Sequence, residues 1–228
     1  MKDATVGRGA VVEFDAAHEA QRPVAGVPVV ARILRELGLA GFTDTWIEVA
    51  SGQPIDPLVL AEIHRLASKM TVRVGAPPES ARAARFPADR LIAAEAIPDF
   101  LAGRPCPFTR LDRPGATAEI LRGTGKPTDG VVSRWFNRPI SRRLSAALLR
   151  MPGMKPVHAT IGTAVIAVAM FVALIFGGRG GLLAGALLFH GASVFDGVDG
   201  EIARATFRTS RAGAALDSAI DVVTNVAA

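Results

Sequence analysis

From Val157 to Gly178 no residue other than His158 can carry a charge near neutral pH. At about 1.5 Å per residue, a helix of that length reaches the roughly 30 Å needed to cross the hydrocarbon of a bilayer. The run therefore predicts a first transmembrane helix. Gly177-Gly-Arg-Gly-Gly181 predicts a tight turn on its far side. Leu182 to Phe195 then runs back, apolar and rich in small residues that let helices approach closely. On the near side, Arg134 to Lys155 holds six basic residues and no acidic one. Arg134, Arg138, Arg142 and Arg143 recur at helical spacing among Trp135, Phe136, Ile140, Leu144, Leu148 and Leu149, the pattern of a basic amphipathic helix lying in the membrane interface. Basic residues favour the cytoplasmic side, and each adds about 1 kcal/mol of attraction to anionic headgroups. The expectation is a multi-pass protein of the cell's inner (plasma) membrane, in contact with membrane lipids, with its N-terminal domain in the cytoplasm.

Composition agrees with that placement. Half the residues are hydrophobic (50%), the formal net charge is +5 and the mean hydropathy is +0.31. A basic, apolar chain of this kind suits a membrane protein with a basic cytoplasmic face better than a nucleic-acid binder. Stacking platforms for single strands are also scarce, with no Tyr and 6% aromatic residues. The single cysteine, Cys106, excludes an intrachain disulfide. Met1 to Arg8 is polar and no apolar stretch follows it, so no secretory leader is expected.

The returning segment runs into carboxylates. Asp196, Asp199, Gly200, Ala203 and Arg204 stand at i, i+3, i+4, i+7 and i+8, one face of a helix. Gly213, Asp217 and Asp221 stand at i, i+4 and i+8, again one face. Turned toward each other, the two faces would form a box of four carboxylates. Such a box is too costly near apolar surroundings unless cations fill it. All-oxygen ligands suit hard divalent ions, Mg2+ or Mn2+. The glycines permit a ligand to approach the backbone, and Arg204 can neutralise a phosphate. An EF-hand is excluded, because its alternating acidic ligands and terminal Glu are missing. The first pair continues the second membrane helix, so it is expected at the cytoplasmic boundary.

The stretch Asp196–Asp221 fills every fixed position of D-x2-D-G-x2-A-R-x8-G-x3-D-x3-D and so resembles the signature of the CDP-alcohol phosphotransferase family. The resemblance implies transfer of a substituted phosphate from a CDP-alcohol donor to an alcohol or sugar-phosphate acceptor, with release of CMP. It implies two metal ions, Asp196, Asp199 and Asp217 around the first, and Asp199, Asp217 and Asp221 around the second. Asp221 is then also the general base. The family places CDP against Gly200, Ala203, Arg204, Ser210 and Gly213, with Arg204 on the diphosphate. His158 stands where the family often has an Asn near the cytidine, and is either a nucleotide contact or a solvated interface residue. Arg134 and Arg138, one turn apart, serve either the acceptor's phosphate or membrane attachment. The resemblance implies six transmembrane helices, and a homodimer is expected for the full-length protein. Only 16 residues remain from Gly213 to the last residue, Ala228, which is about 24 Å of helix. An all-α transmembrane domain truncated after about three helices is expected, spanning residues 129–228.

Residues 1–105 read as a soluble α/β domain, with 106–128 as a linker rich in Pro and Gly. Strand candidates are Ala10–Phe14, Thr45–Ala50, Thr71–Val74 and Asp89–Ala94; helices are expected over Pro28–Gly38 and Leu58–Lys69. The alternation predicts a parallel, doubly wound sheet. Gly26 to Gly41 resembles the Gly-x-Pro-Leu segment of sugar nucleotidyltransferases and the helix after it. Active members carry a glycine-rich phosphate loop before it, whereas Asp15-Ala-Ala-His-Glu-Ala-Gln21 has no glycine. The domain is therefore expected to be a degenerate, nucleotidyltransferase-like fold. The domain order and Lys126–Ser141 resemble bifunctional enzymes joining a nucleotidyltransferase to di-myo-inositol-phosphate-phosphate synthase. Two alternatives remain beside the transferase reading: a non-catalytic membrane scaffold, and a bifunctional enzyme with an active N-terminal cytidylyltransferase.

Overall fold

The computed structural model describes residues 8–125, 130–131 and 133–209. The chain divides into two compact units between Ala116 and Thr117.

The first unit runs β1 (Arg8–Phe14), α1 (Ala17–Gln21), β2 (Pro23–Val24), β3 (Val27–Pro28), α2 (Val29–Leu39), β4 (Phe42–Val49), α3 (Pro57–Leu66), β5 (Thr71–Val74), β6 (Ala83–Pro87), β7 (Arg90–Leu91), α4 (Ile97–Leu101) and β8 (Thr109–Arg110). β5, β4, β1 and β6 form, in that order, a four-stranded parallel sheet. Period-two alternation sends Ala10, Val12, Phe14, Thr45, Ile47 and Phe86 to one face, where all are buried. Ile33 and Leu37 of α2 meet Phe86 there. Glu13, Asp44, Glu48, Arg73 and Arg85 take the alternate positions. They pair with one another, Arg85 with Glu13 and Glu48, and Arg73 with Asp44 at 3.1 Å. The Arg73 guanidinium also lies 5.4 Å above the Trp46 ring. α2 thus packs on one face, while the other carries these charged side chains around the buried Val11 and Trp46. This corrects the doubly wound expectation, because a second helical layer would have to bury those charges.

Two local expectations also shift. The fourth strand is Ala83–Pro87, inside an Ala/Arg-rich stretch where alternation is hard to see, while Asp89–Ala94 contributes only the two residues of β7. Residues beyond Pro105, on the expected linker, pack into this unit: β8 pairs with β7, and Arg22 Nη2 donates to the Leu111 carbonyl at 2.8 Å.

Beneath the β2–β3 turn, Arg32 is almost fully buried, and its Nη2 donates to the carbonyls of Val24 (3.0 Å) and Ala25 (3.3 Å). Ala25 and Gly26 have φ of 48° and 75°, so the turn presents its carbonyls inward at some backbone cost. Burial pushes the Arg32 pKa down to about 10, against the opposing pull of Glu36. α3 starts where the Asp56 carboxylate accepts from the Leu58 N–H at 2.7 Å and proline occupies the first turn.

The second unit contains α5 (Ala116–Arg122), a π turn (Ser133–Asn137) leading into α6 (Arg138–Leu148), then α7 (Pro156–Phe176) and α8 (Gly178–Ala205). α7 and α8 are both long and apolar enough to cross a membrane. The reversal between them is tighter than the five-residue turn expected, since α8 begins at Gly178, whose φ is 53°. A Cβ on Gly181 would strike the Ala173 carbonyl oxygen, so only glycine fits there. Farther along the pair, Gly162 lies against Phe195 and Gly185 against Leu174. Ile161, Val165, Val168, Val172 and Ile175 form an exposed apolar stripe on α7, as a hydrocarbon surrounding requires.

Candidate functional site

Asp196 and Asp199 stand one turn apart near the C-terminal end of α8, followed by Gly200, Ala203 and Arg204 on the same face. Asp199 is buried, 7% exposed, and its Oδ2 accepts from the Thr160 hydroxyl of α7 at 2.9 Å. Asp196 is half-buried. Two carboxylates in this setting, one of them oriented by a neighbouring hydroxyl, are the hard oxygen donors a divalent cation takes. Asp217 and Asp221, with Ser210 and Gly213, lie outside the described residues. Among the described residues no group of three or more His, Cys, Asp or Glu gathers to hold a metal.

Arg204 folds back along its own helix. Its Nε donates to the Thr124 carbonyl at 2.7 Å, and its guanidinium passes so close to Gly200 that a Cβ there would come within 3.0 Å of Nη1. The absent side chain at Gly200 is what lets the guanidinium lie on the backbone. Thr124 is itself fixed by a bond from its hydroxyl to the Leu121 carbonyl at 2.7 Å, after α5. Ala203 lies half-buried beside this group. His158 sits at the start of α7, where its Nδ1 accepts from the Lys155 N–H at 3.2 Å and caps the helix.

The two arginines expected to face an acceptor together are separated. Arg134 is exposed within the π turn, and Arg138 is buried, 6% exposed. What separates the pair is the partner that Arg138 finds on α8, rather than their spacing. Arg138 Nη1 donates to Glu201 Oε1 at 3.1 Å. Glu201 is 0% exposed, and it also accepts from Ser141 Oγ at 2.8 Å and Ser145 Oγ at 2.7 Å. The expectation of two like arginines therefore gives way to one exposed and one committed to a buried ion pair.

Sequence reading passed over Thr160, Ser141, Ser145 and Glu201. Hydroxyls in an otherwise apolar membrane helix were one available signal for Thr160. Arg138, Ser141 and Ser145, spaced i, i+3 and i+7, were another, since they mark a polar stripe on α6. Glu201 occupies an unspecified position of the signature, and nothing local announced its partners.

Curated relatives from Archaeoglobus fulgidus, Thermococcus kodakarensis and Aquifex aeolicus, each named bifunctional IPC transferase and DIPP synthase, are similar to part of this chain. The first is 36% identical over 103 residues, covering 44% of this chain and 19% of the relative. The second is 37% identical over 103 residues, 44% and 21%. The third is 39% identical over 101 residues, 44% and 22%. The matched stretch thus spans about a fifth of the length of these relatives. Residues 156–228, which begin with α7 and include the whole carboxylate signature, match the family model described as CDP-alcohol phosphatidyltransferase.

Proposed function

We propose that the protein is a multi-pass membrane transferase that moves a substituted phosphate from a CDP-alcohol to the hydroxyl of an alcohol or sugar-phosphate acceptor. The acceptor oxygen attacks the phosphorus that bears the donor alcohol. The bond from that phosphorus to the CMP oxygen breaks, Asp221 takes the hydroxyl proton, and CMP leaves. Arg204 holds the diphosphate through its guanidinium, and Gly200, Ala203, Ser210 and Gly213 line the nucleotide's path. Asp196, Asp199, Asp217 and Asp221 are the residues proposed to hold two Mg2+ or Mn2+ ions. When bound, these ions supply positive charge to the diphosphate and to the leaving oxygen. Thr160 keeps Asp199 in one orientation. Arg134, exposed at the basic entry to α6, is the group proposed to meet a phosphate on the acceptor, whereas Arg138 is buried. The basic stretch from Arg134 to Lys155 supports a site at the cytoplasmic surface of the membrane.

The observation that carries this reading is the complete signature within residues 156–228, with its first two aspartates on one face of α8 and Asp199 fixed by Thr160. Full-length protein supplied with CDP-alcohols, acceptors and Mg2+ is expected to release CMP, and mass spectrometry identifies the product. Asp217→Asn is expected to abolish that release; unchanged release refutes the assignment. For the first unit no nucleotidyl transfer is proposed, because α1 follows β1 where a glycine-rich loop would be needed. CTP turnover by the full-length protein would overturn that.

A further inference from the structure

Glu201 is a fully buried carboxylate that the proposed chemistry does not use. Both its oxygens are satisfied by one face of α6: Oε1 by Arg138 and Ser141, Oε2 by Ser145. Gly197, one turn earlier on α8, makes the approach possible. Its carbonyl lies 3.5 Å from Arg138 Nη1, and a Cβ there would come within 3.3 Å of both Arg138 Nη1 and Ser141 Oγ. Asn137 adds a bond to Ser193 of α8 at 3.1 Å. Asp199 stands two residues before Glu201, about 200° around the helix, and is held from that other side by Thr160 of α7. α8 is therefore gripped on two flanks by polar contacts, and both grips fall within the carboxylate signature.

We propose that Glu201 is a positioning residue: clamped by Arg138, Ser141 and Ser145, it fixes the rotation of α8 about its own axis and so aims Asp196 and Asp199. Apolar packing alone tolerates a small roll of one helix against another, whereas a two-oxygen carboxylate seated on three donors accepts one angle. Side chains reach about 5–6 Å from a helix axis, so a roll of about 10° displaces a carboxylate by about 1 Å. A displacement of that size in a reacting group costs about 10²-fold in rate. Buried ion pairs are poor stabilisers compared with apolar residues of the same volume, so a role in setting geometry accounts for Glu201 better than a role in holding the helices together. The inference rests on the transferase reading only for what the aspartates do once aimed.

The test uses full-length protein in detergent, with Cys106→Ser and spin labels at Arg143 on α6 and Leu187 on α8, both exposed. Glu201→Leu combined with Arg138→Leu replaces the clamp by apolar groups. The label-to-label distance distribution is expected to broaden. Mn2+ affinity, read by paramagnetic resonance without turnover, is expected to fall about tenfold or more, and kcat to fall with little change in the KM for donor. Ser141→Ala combined with Ser145→Ala, which keeps the ion pair and removes two of the three donors, is expected to give a smaller change in the same direction and serves if the double-leucine variant does not fold. A distribution as narrow as the parent's, with unchanged Mn2+ affinity, overturns the proposal. If the parent neither binds Mn2+ nor releases CMP while the distance still broadens, the clamp stands and the transferase reading falls.

Discussion

The two units handle charge in opposite ways. In the first, Glu13, Glu48 and Arg85 meet on the open face of a sheet, with roughly a third to two-thirds of each side chain exposed. In the second, Arg138 and Glu201 meet between helices, with almost no exposure. Water screens the first group and supplies any partner that is lost, so its geometry is loosely held. The second pair has no water to fall back on. Removing either partner leaves a bare charge in an apolar surrounding, and the helices must move to relieve it. Ion pairs that look alike as partners and distances thus do different work: one keeps a sheet face soluble, the other sets how a site-bearing helix is turned.

The comparison can be broken most severely at the site. Asp199→Asn is expected to lower metal-dependent CMP release by more than about 10²-fold, because losing a ligand exceeds the loss of the outer contacts that alone cost 10–100-fold; release within a few-fold of the parent would show that the buried end of α8 is not the reactive one. Next comes Arg138→Met, which strands Glu201 and is expected to cost about 3–5 kcal/mol by denaturation in detergent. A cost under 1 kcal/mol would erase the distinction between buried and open pairs. Thr160→Val removes the hydroxyl from Asp199 while keeping the volume, and is expected to weaken Mn2+ binding about tenfold with the fold intact. At the small end, Arg85→Ala is expected to change stability by under about 1 kcal/mol, and by less still at high salt. A large, salt-insensitive loss there would mean that the open face of the sheet is covered in the working protein.

Most of the local structure was legible. The strands at Ala10–Phe14, Thr45–Ala50 and Thr71–Val74 announce themselves by β-branched and aromatic content, and α2 and α3 by their period and stops. β6 was missed because Ala83-Ala-Arg-Phe-Pro carries one large buried residue, Phe86, and is a strand only through pairing with β1. In the same way, Arg134 and Arg138 look equivalent in sequence. A carboxylate far along the chain holds one in a buried pair, while the other is exposed.

The sequence by itself determined the chemistry on offer: an uncharged run long enough to span a membrane, a basic flank beside it, and carboxylates whose spacing puts them on shared helix faces. These are properties of neighbours along a helix, fixed by 3.6 residues per turn. Only tertiary structure decided which side of α8 each carboxylate faces, that Asp199 rests on Thr160, and that Glu201 is enclosed by α6. Those contacts join residues 39 to 63 positions apart. Whether such residues meet depends on how whole helices pack, which no local spacing encodes.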